Sequence, residues 1–270
     1  MTSSPALGDI KARQQKTWAS GDYGAVAALI QPVAENLVQA ADLSAGSRVI
    51  DVATGTGNAA IAAARCLCSV TGVDYVPALL ERGRARAAAE HLPVSFEVGD
   101  AEALPGRDGA WDVALSVFGV MFAPDQDRAA AELARVVRSG GLIALANWVP
   151  DGFIGEVFRT VGRRVPPPPG VRAPSEWGSG PRLRELFGEQ VTDLRVNRRE
   201  FVFRFASPEN FADYFRANYG PTLKAFEALD DEQGRLLYAD LVDLATRHNV
   251  ATDGTAKIPS GYVEVLATRA

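Results

Sequence analysis

Asp51, Asp74 and Asp100 each fall within or at the end of a short β-rich run, and two glycines, Gly55 and Gly57, follow the first of them. The segment Val49–Ala60 is an apolar strand ending in a glycine-rich turn that runs straight into a helix. Such a turn brings bare backbone N–H groups and a helix N-terminus to the carboxyl edge of a parallel sheet, where an adenosine-bearing cofactor can approach without meeting side chains. Asp74 closes Val70-Thr71-Gly72-Val73-Asp74 at roughly the ~20-residue distance at which a carboxylate meets ribose hydroxyls. The same carboxylate also suits the dipole of the helix that follows. In Val98-Gly99-Asp100-Ala101-Glu102-Ala103-Leu104-Pro105, Asp100 can accept from the exocyclic amine of adenine while the N–H of Ala101 donates to a ring nitrogen. The plainer reading of Asp100 is an Asx-type turn after a strand.

The glycine turn alone is ambiguous. Gly55-x-Gly57-x-x-Ala60 also satisfies the loose dinucleotide fingerprint, so a nicotinamide-dependent oxidoreductase stays open at this loop. The rest of the chain offers that chemistry little: there is no Tyr-x-x-x-Lys pair to polarise a carbonyl and no pair of histidines for a catalytic metal. The two histidines, His91 and His248, fall in a helix-to-strand loop and a polar helical stretch and read as surface residues. Cys66 and Cys68, two apart, would form a strained disulfide and lack partner ligands for a metal, so they read as small buried residues. No metal is expected.

These residues need a scaffold to bring them together. From Ser47 to about Asn147, β-rich runs alternate with helical stretches, the pattern of right-handed βαβ crossovers and a parallel sheet. Strands are expected at Arg48–Val52, Ser69–Asp74, Val94–Gly99, Trp111–Ser116 and Gly141–Asn147, the last after a turn at Arg138-Ser139-Gly140-Gly141. Helices are expected at Asn58–Cys66, Val76–His91 and Pro124–Val137. Ahead of the core, 11–41 reads as helical with a break at Gly21-Asp22-Tyr23-Gly24, and could fold as a lid. After it the alternation weakens, and the proline run 166–169 serves as a stiff surface connection. A helix at Arg182–Phe187, a strand at Val191–Phe205, helices at Asn210–Ala217 and Asp231–His248, and a last strand at Tyr262–Thr268 complete the reading.

Composition narrows the function classes. The chain has 270 residues, 47% of them hydrophobic, and a formal net charge of −5. It can bury a full core, and no Lys/Arg cluster is long enough to follow a nucleic-acid backbone. The start, Met1–Pro5, lacks a signal-peptide pattern, and no run reaches the ~20 apolar residues of a membrane span. A cytoplasmic enzyme acting on a small molecule is expected, with no nucleic-acid or membrane partner; a homodimer is compatible with these features.

Taken together, Val49–Gly57, Gly72–Asp74, Gly99–Pro105 and Trp111–Phe122 resemble the class I S-adenosylmethionine-dependent methyltransferases, in particular the small-molecule branch of the ubiquinone and menaquinone biosynthesis enzymes. The resemblance covers about residues 45–150. It implies a Rossmann-like, doubly wound, mostly parallel seven-stranded α/β sheet whose last strand is antiparallel, with N-terminal helices and a helical cap insertion. The partition it implies is a single domain over 1–270: a lid at 1–45, a cofactor-binding core at 46–150, and substrate-side insertions at 151–190 and 206–260.

Carried over by position, the resemblance sets the methionine moiety of S-adenosylmethionine against Ala53, Gly55 and Gly57, with Asp51 ordering that loop. Asp74 would hold the ribose, Tyr75 pack on the adenine, and Asp100 and Ala101 read its edge. Ser116 and Val117 would lie beside the cofactor amino group and Phe118 near the sulfonium, with Trp18 and Tyr23 as lid contacts. The acceptor pocket is expected among Trp148–Phe153, Ser175-Glu176-Trp177 and the aromatics Phe211, Tyr214, Phe215, Tyr219 and Phe226, with Phe118, Met121 and Phe122 facing it. Density of this kind suits a planar or prenylated molecule, or ordinary helix packing. No catalytic residue is assigned; Tyr214, Tyr219 and Glu176 are candidate bases for an acceptor that arrives protonated. A binding module that keeps the fold without turnover is the remaining alternative.

Overall fold

Seven strands make one sheet in the order β3-β2-β1-β4-β5-β7-β6: β1 (Arg48–Val52), β2 (Ser69–Asp74), β3 (Val94–Val98), β4 (Trp111–Val117), β5 (Val137–Trp148), β6 (Val191–Phe205) and β7 (Ala256–Arg269). The computed structural model describes residues 7–270, so the Met1–Pro5 start lies outside the described residues. Strands β1 to β5 pair in parallel, and β7 runs antiparallel to both neighbours, β5 and β6. The last strand is therefore the reversed one, inserted beside β5. Val49, Ile50, Val52, Ala114 and Leu115 have no exposed surface, as the central strands of a sheet covered by helices on both faces require.

Among the described residues, ten helices surround it: α1 (Leu7–Trp18), α2 (Tyr23–Ala41), α3 (Asn58–Arg65), α4 (Pro77–Ala89), α5 (Gln126–Val136), α6 (Phe153–Arg164), α7 (Gly180–Phe187), α8 (Pro208–Asn218), α9 (Gly220–Glu227) and α10 (Asp231–His248). Three begin on side-chain caps: Asp125, Ser207 and Asp230 accept from the backbone N–H groups of Arg128, Asn210 and Gln233. Each such cap satisfies an N–H that the first helical turn leaves free.

The structure departs from expectation in four places. Helix α6 stands where the alternation weakens; its buried face, Phe153, Ile154, Val157 and Thr160, is helical in spacing, but Pro150, Gly152 and Gly155 obscure it. Gly155 is required there, because a Cβ would come within 2.5 Å of the Val149 and Pro150 carbonyls. Strand β5 begins at Val137 and absorbs the expected turn: Trp111 pairs with Val137 but Val113 with Leu142, so the residues between bulge out. Tyr219 and Gly220 split the insertion helix, giving α9 as a separate element. His248 is not a free surface residue; its Nε2 lies 3.2 Å from Glu156 Oε1 and its ring packs edge-on to Phe153. Cys68 is buried and Cys66 only half-buried, both as free thiols.

Candidate active site

The carboxyl ends of β1, β2, β3 and β4 meet where the strand order reverses between β1 and β4, the crevice that open α/β sheets use for ligands. After β1 the chain takes positive φ at Ala53 (53°), Gly55 (56°) and Gly57 (86°) before entering α3. Asp51 braces this turn from beneath: one oxygen accepts from Thr54 Oγ1 at 2.5 Å and from the Ala60 N–H at 2.9 Å. Burial pushes the Asp51 carboxyl up to about 7, against the pull of those two bonds. From the far side, Arg86 of α4 donates to the Thr56 carbonyl and to Asn58 Oδ1, a tether that the sequence motifs did not indicate.

Asp74, at the tip of β2, accepts from the Gly55 N–H with Oδ2 and from the Val76 N–H with Oδ1, both at 2.9 Å. It links the glycine turn to the start of α4. Burial raises its pKa, and the same N–H groups partly offset this. At the tip of β3, Asp100 accepts from the Glu102 N–H at 2.9 Å, which is the Asx-type turn, and its other oxygen faces Lys11 of α1 at 2.5 Å. The Asx-type turn is thus present, and it leaves the carboxylate further lone pairs.

These ends border a cavity of about 680 Å³, counted out to open solvent. Trp18, Tyr23, Ala53, Gly55, Asp74, Tyr75, Asp100, Ala101 and Phe118 line it, together with Lys11, Gln14, Leu79 and the turn Gly119–Pro124. The turn after β4 is drawn against the glycine loop, and a Cβ on Gly119 would come within 2.6 Å of the Ala53 carbonyl oxygen. Four expected cofactor residues do not line this cavity. Asp51 supports the loop, and Gly57 caps α3 against the Phe96 ring, which a Cβ would meet at 2.9 Å. Ser116 is fully buried, its Oγ donating to the Val52 carbonyl and accepting from the Val120 N–H. Val117 lines a smaller neighbouring cavity with Asp51, Ala53, Thr54 and Tyr23.

Helix α1 covers the opening. Lys11 reaches Asp100 and Glu102, Gln14 donates to the Phe122 carbonyl and Gln15 to the Tyr75 carbonyl. Burial lowers the pKa of the Lys11 ammonium, but the two carboxylates outweigh it and raise the value overall. Trp18, at the end of α1, meets Tyr23, Phe122 and Tyr219 edge-on. This polar stitching by α1 has no motif of its own; only the helical spacing of Lys11, Gln14, Gln15 and Trp18 hinted at a shared face.

A second, apolar chamber of about 410 Å³ opens beside the first, and Trp18, Tyr23, Phe118 and Phe122 line both. Phe118 takes a positive φ of 52° and stacks on Trp148, ring centroids 3.7 Å apart and 3° from parallel. Such strain in a non-glycine residue is characteristic of functional sites. Of the expected acceptor residues, Trp148, Phe215 and Tyr219 line this chamber, alongside Ile154, Val157, Phe158 and Phe203, which the sequence reading did not include. The others point elsewhere. Phe153 packs on Phe211, Trp177 on Phe187 and Phe226 under Arg216, and Met121 is fully buried. Tyr214 donates to the Ala25 carbonyl and Glu176 pairs with exposed Arg172, and neither lines this chamber.

The arrangement fits an adenosylated donor. Backbone N–H groups and two carboxylates stand at the strand ends, Tyr75 offers a flat face, and the cavity continues into an apolar chamber through aromatic side chains. The likenesses to known proteins agree with it. A family model described as a methyltransferase domain matches residues 49–141. An uncharacterized protein of Mycobacterium tuberculosis is 43% identical over 221 residues, 80% of each chain. The demethylmenaquinone methyltransferase of Deinococcus radiodurans is 33% identical over 174 residues, 63% of this chain and 66% of that one. In fold, the crystal structure of the Bacillus subtilis protein YcgJ superposes with a TM-score of 0.62 at 18% identity, covering 87% of this chain and 97% of that one. None of these favours the nicotinamide reading or a module without turnover. With the glycine turn, the two strand-end carboxylates and the reversed last strand in place, the chain belongs to the class I S-adenosylmethionine-dependent methyltransferases and resembles its menaquinone-biosynthesis members.

Proposed function

We propose that this enzyme methylates a small apolar acceptor, aromatic or quinone-like, held in the chamber lined by Trp148 and Tyr219. The observation that carries the reading is the shared wall: Trp18, Tyr23, Phe118 and Phe122 border both the donor cavity and the apolar chamber. Bound S-adenosylmethionine supplies a methyl group on a positively charged sulfur that leaves readily. The protein's part is positioning, which can contribute about 7–11 kcal/mol when the reacting atoms are held in line. Asp74, Tyr75, Asp100 and Ala101 hold the adenosine end, α1 closes over it as a lid, and the aromatic wall excludes water.

The relative named a demethylmenaquinone methyltransferase supports a quinone-like acceptor. The net charge of −5 disfavours nucleic acid in that role. The reading includes a cytoplasmic enzyme, alone or as a homodimer. The test is transfer of tritiated methyl to a panel of phenols, quinone precursors and amines. Label is expected in a phenolic or quinone-type product; label confined to the amines would refute the acceptor assignment.

A further inference from the structure

We propose that Tyr219 selects the acceptor by donating a hydrogen bond to its oxygen, and that the acceptor is an uncharged, oxygen-bearing ring system. The inference rests on the apolar chamber being the acceptor site. Among the described residues, no charged side chain lines that chamber, and its only polar side-chain groups belong to two tyrosines, Tyr23 and Tyr219, and two tryptophans, Trp18 and Trp148. The indoles can only donate, so the chamber is biased towards a ligand that accepts. A carboxylate or an ammonium would enter without a counter-charge, at a desolvation cost that a neutral oxygen avoids.

Tyr219 is the better placed of the two phenols. It is 92% buried, being 8% exposed, and its hydroxyl makes no hydrogen bond among the described residues, in contrast to Tyr214, whose hydroxyl donates to the Ala25 carbonyl. The ring is buried while the hydroxyl oxygen keeps accessible surface, so a ligand oxygen in the chamber can reach it. Burial raises the Tyr219 phenol well above its usual range, with Tyr23 adding to the effect, which keeps the hydroxyl proton in place for donation.

The backbone holds this side chain firmly. Tyr219 sits at the junction of α8 and α9, its ring edge-on to Trp18 with centroids 5.5 Å apart. The next residue, Gly220, is pressed so closely on the Thr17 carbonyl that a Cβ would come within 2.1 Å of it.

The experiment is calorimetry on the S-adenosylhomocysteine-loaded protein with four matched bicycles: 1-tetralone, tetralin, tetralin-1-carboxylate and protonated 1-aminotetralin. The unmodified protein is expected to bind tetralone roughly tenfold more tightly than tetralin, the factor for one buried hydrogen bond, with both charged analogues weaker still. Tyr219→Phe is expected to erase the tetralone advantage while tetralin and S-adenosylhomocysteine bind as before, which also shows that the variant is folded. An undiminished tetralone advantage in Tyr219→Phe overturns the role of the hydroxyl, and tightest binding by either charged analogue overturns the acceptor class. Binding of S-adenosylhomocysteine with none of the four bicycles overturns the chamber as acceptor site. Failure of S-adenosylhomocysteine itself to bind overturns the donor assignment beneath it.

Discussion

Asp74 is a structural brace at the cavity wall: its two oxygens hold the N–H groups of Gly55 and Val76 while it lines the strand-end cavity. Asp74→Ala is expected to weaken S-adenosylhomocysteine binding at least tenfold and to cost roughly 1–3 kcal/mol of stability by orphaning buried N–H groups. Calorimetry and denaturant unfolding read the two effects separately, and unaltered binding would remove Asp74 from the site. Asp51 carries a pH signature. Its carboxyl, ordinarily at 3.8, is raised to about 7 in the fold, so folding takes up a proton. Its contribution to stability is complete below pH ~4 and is lost as pH rises through about 7. In Asp51→Asn this loss is absent, so wild-type stability relative to the variant should decline between pH 5 and pH 8. Parallel unfolding curves across that interval would contradict it. The three aspartates were legible because each stands at or beside a strand end with glycine nearby. The positive φ of Ala53 and Phe118 was not, since neither residue type favours it and the strain is held by contacts distant in sequence.

At the level of elements, α1 is the piece that turns an open crevice into a closed one. Its latch is Lys11, set between Asp100 and Glu102 at 2.5 Å from each. Partly exposed ion pairs contribute about 0.2–1 kcal/mol, so Lys11→Ala should weaken S-adenosylhomocysteine binding only a few-fold, and by less in high salt, where the pair is already screened. Equal affinity at both salt concentrations for wild type and variant would show that α1 is not coupled to the donor. The boundaries of β6 and α10 agree with the sequence to the residue, because a long β-branched and aromatic run and an aspartate cap mark them locally. Helix α6 and the early start of β5 were hidden for the opposite reason. Gly155 and the glycines 140 and 141 argue against regular structure locally, and only packing against neighbouring backbone makes them part of it. The lid reading of α1 rested on position in the chain; its partners lie 60 to 108 residues away, so spacing could not reveal them.

Across the whole molecule, the proposed donor site belongs to the sheet and the proposed acceptor chamber to what is built around it. The strand order reversing at β1 and β4 fixes the donor crevice, and its glycine and aspartate positions cluster within residues 51–101, which is why the sequence displayed them as motifs. The apolar chamber is assembled from residues between Trp18 and Tyr219, contributed by α1, α2, β5, α6, β6 and α8. Of its thirteen residues, six (Val26, Ile30, Ile154, Val157, Phe158 and Phe203) are indistinguishable in sequence from ordinary core, so nearly half of this wall was illegible without the fold. The division of labour makes one measurement decisive: a crystal structure with S-adenosylhomocysteine. It should show the adenine between Tyr75 and Asp100, the ribose at Asp74, and the sulfur at the wall of Tyr23 and Phe118, facing the apolar chamber. Adenosine bound away from the ends of β1, β2 and β3, or a sulfur turned away from that chamber, would contradict the account.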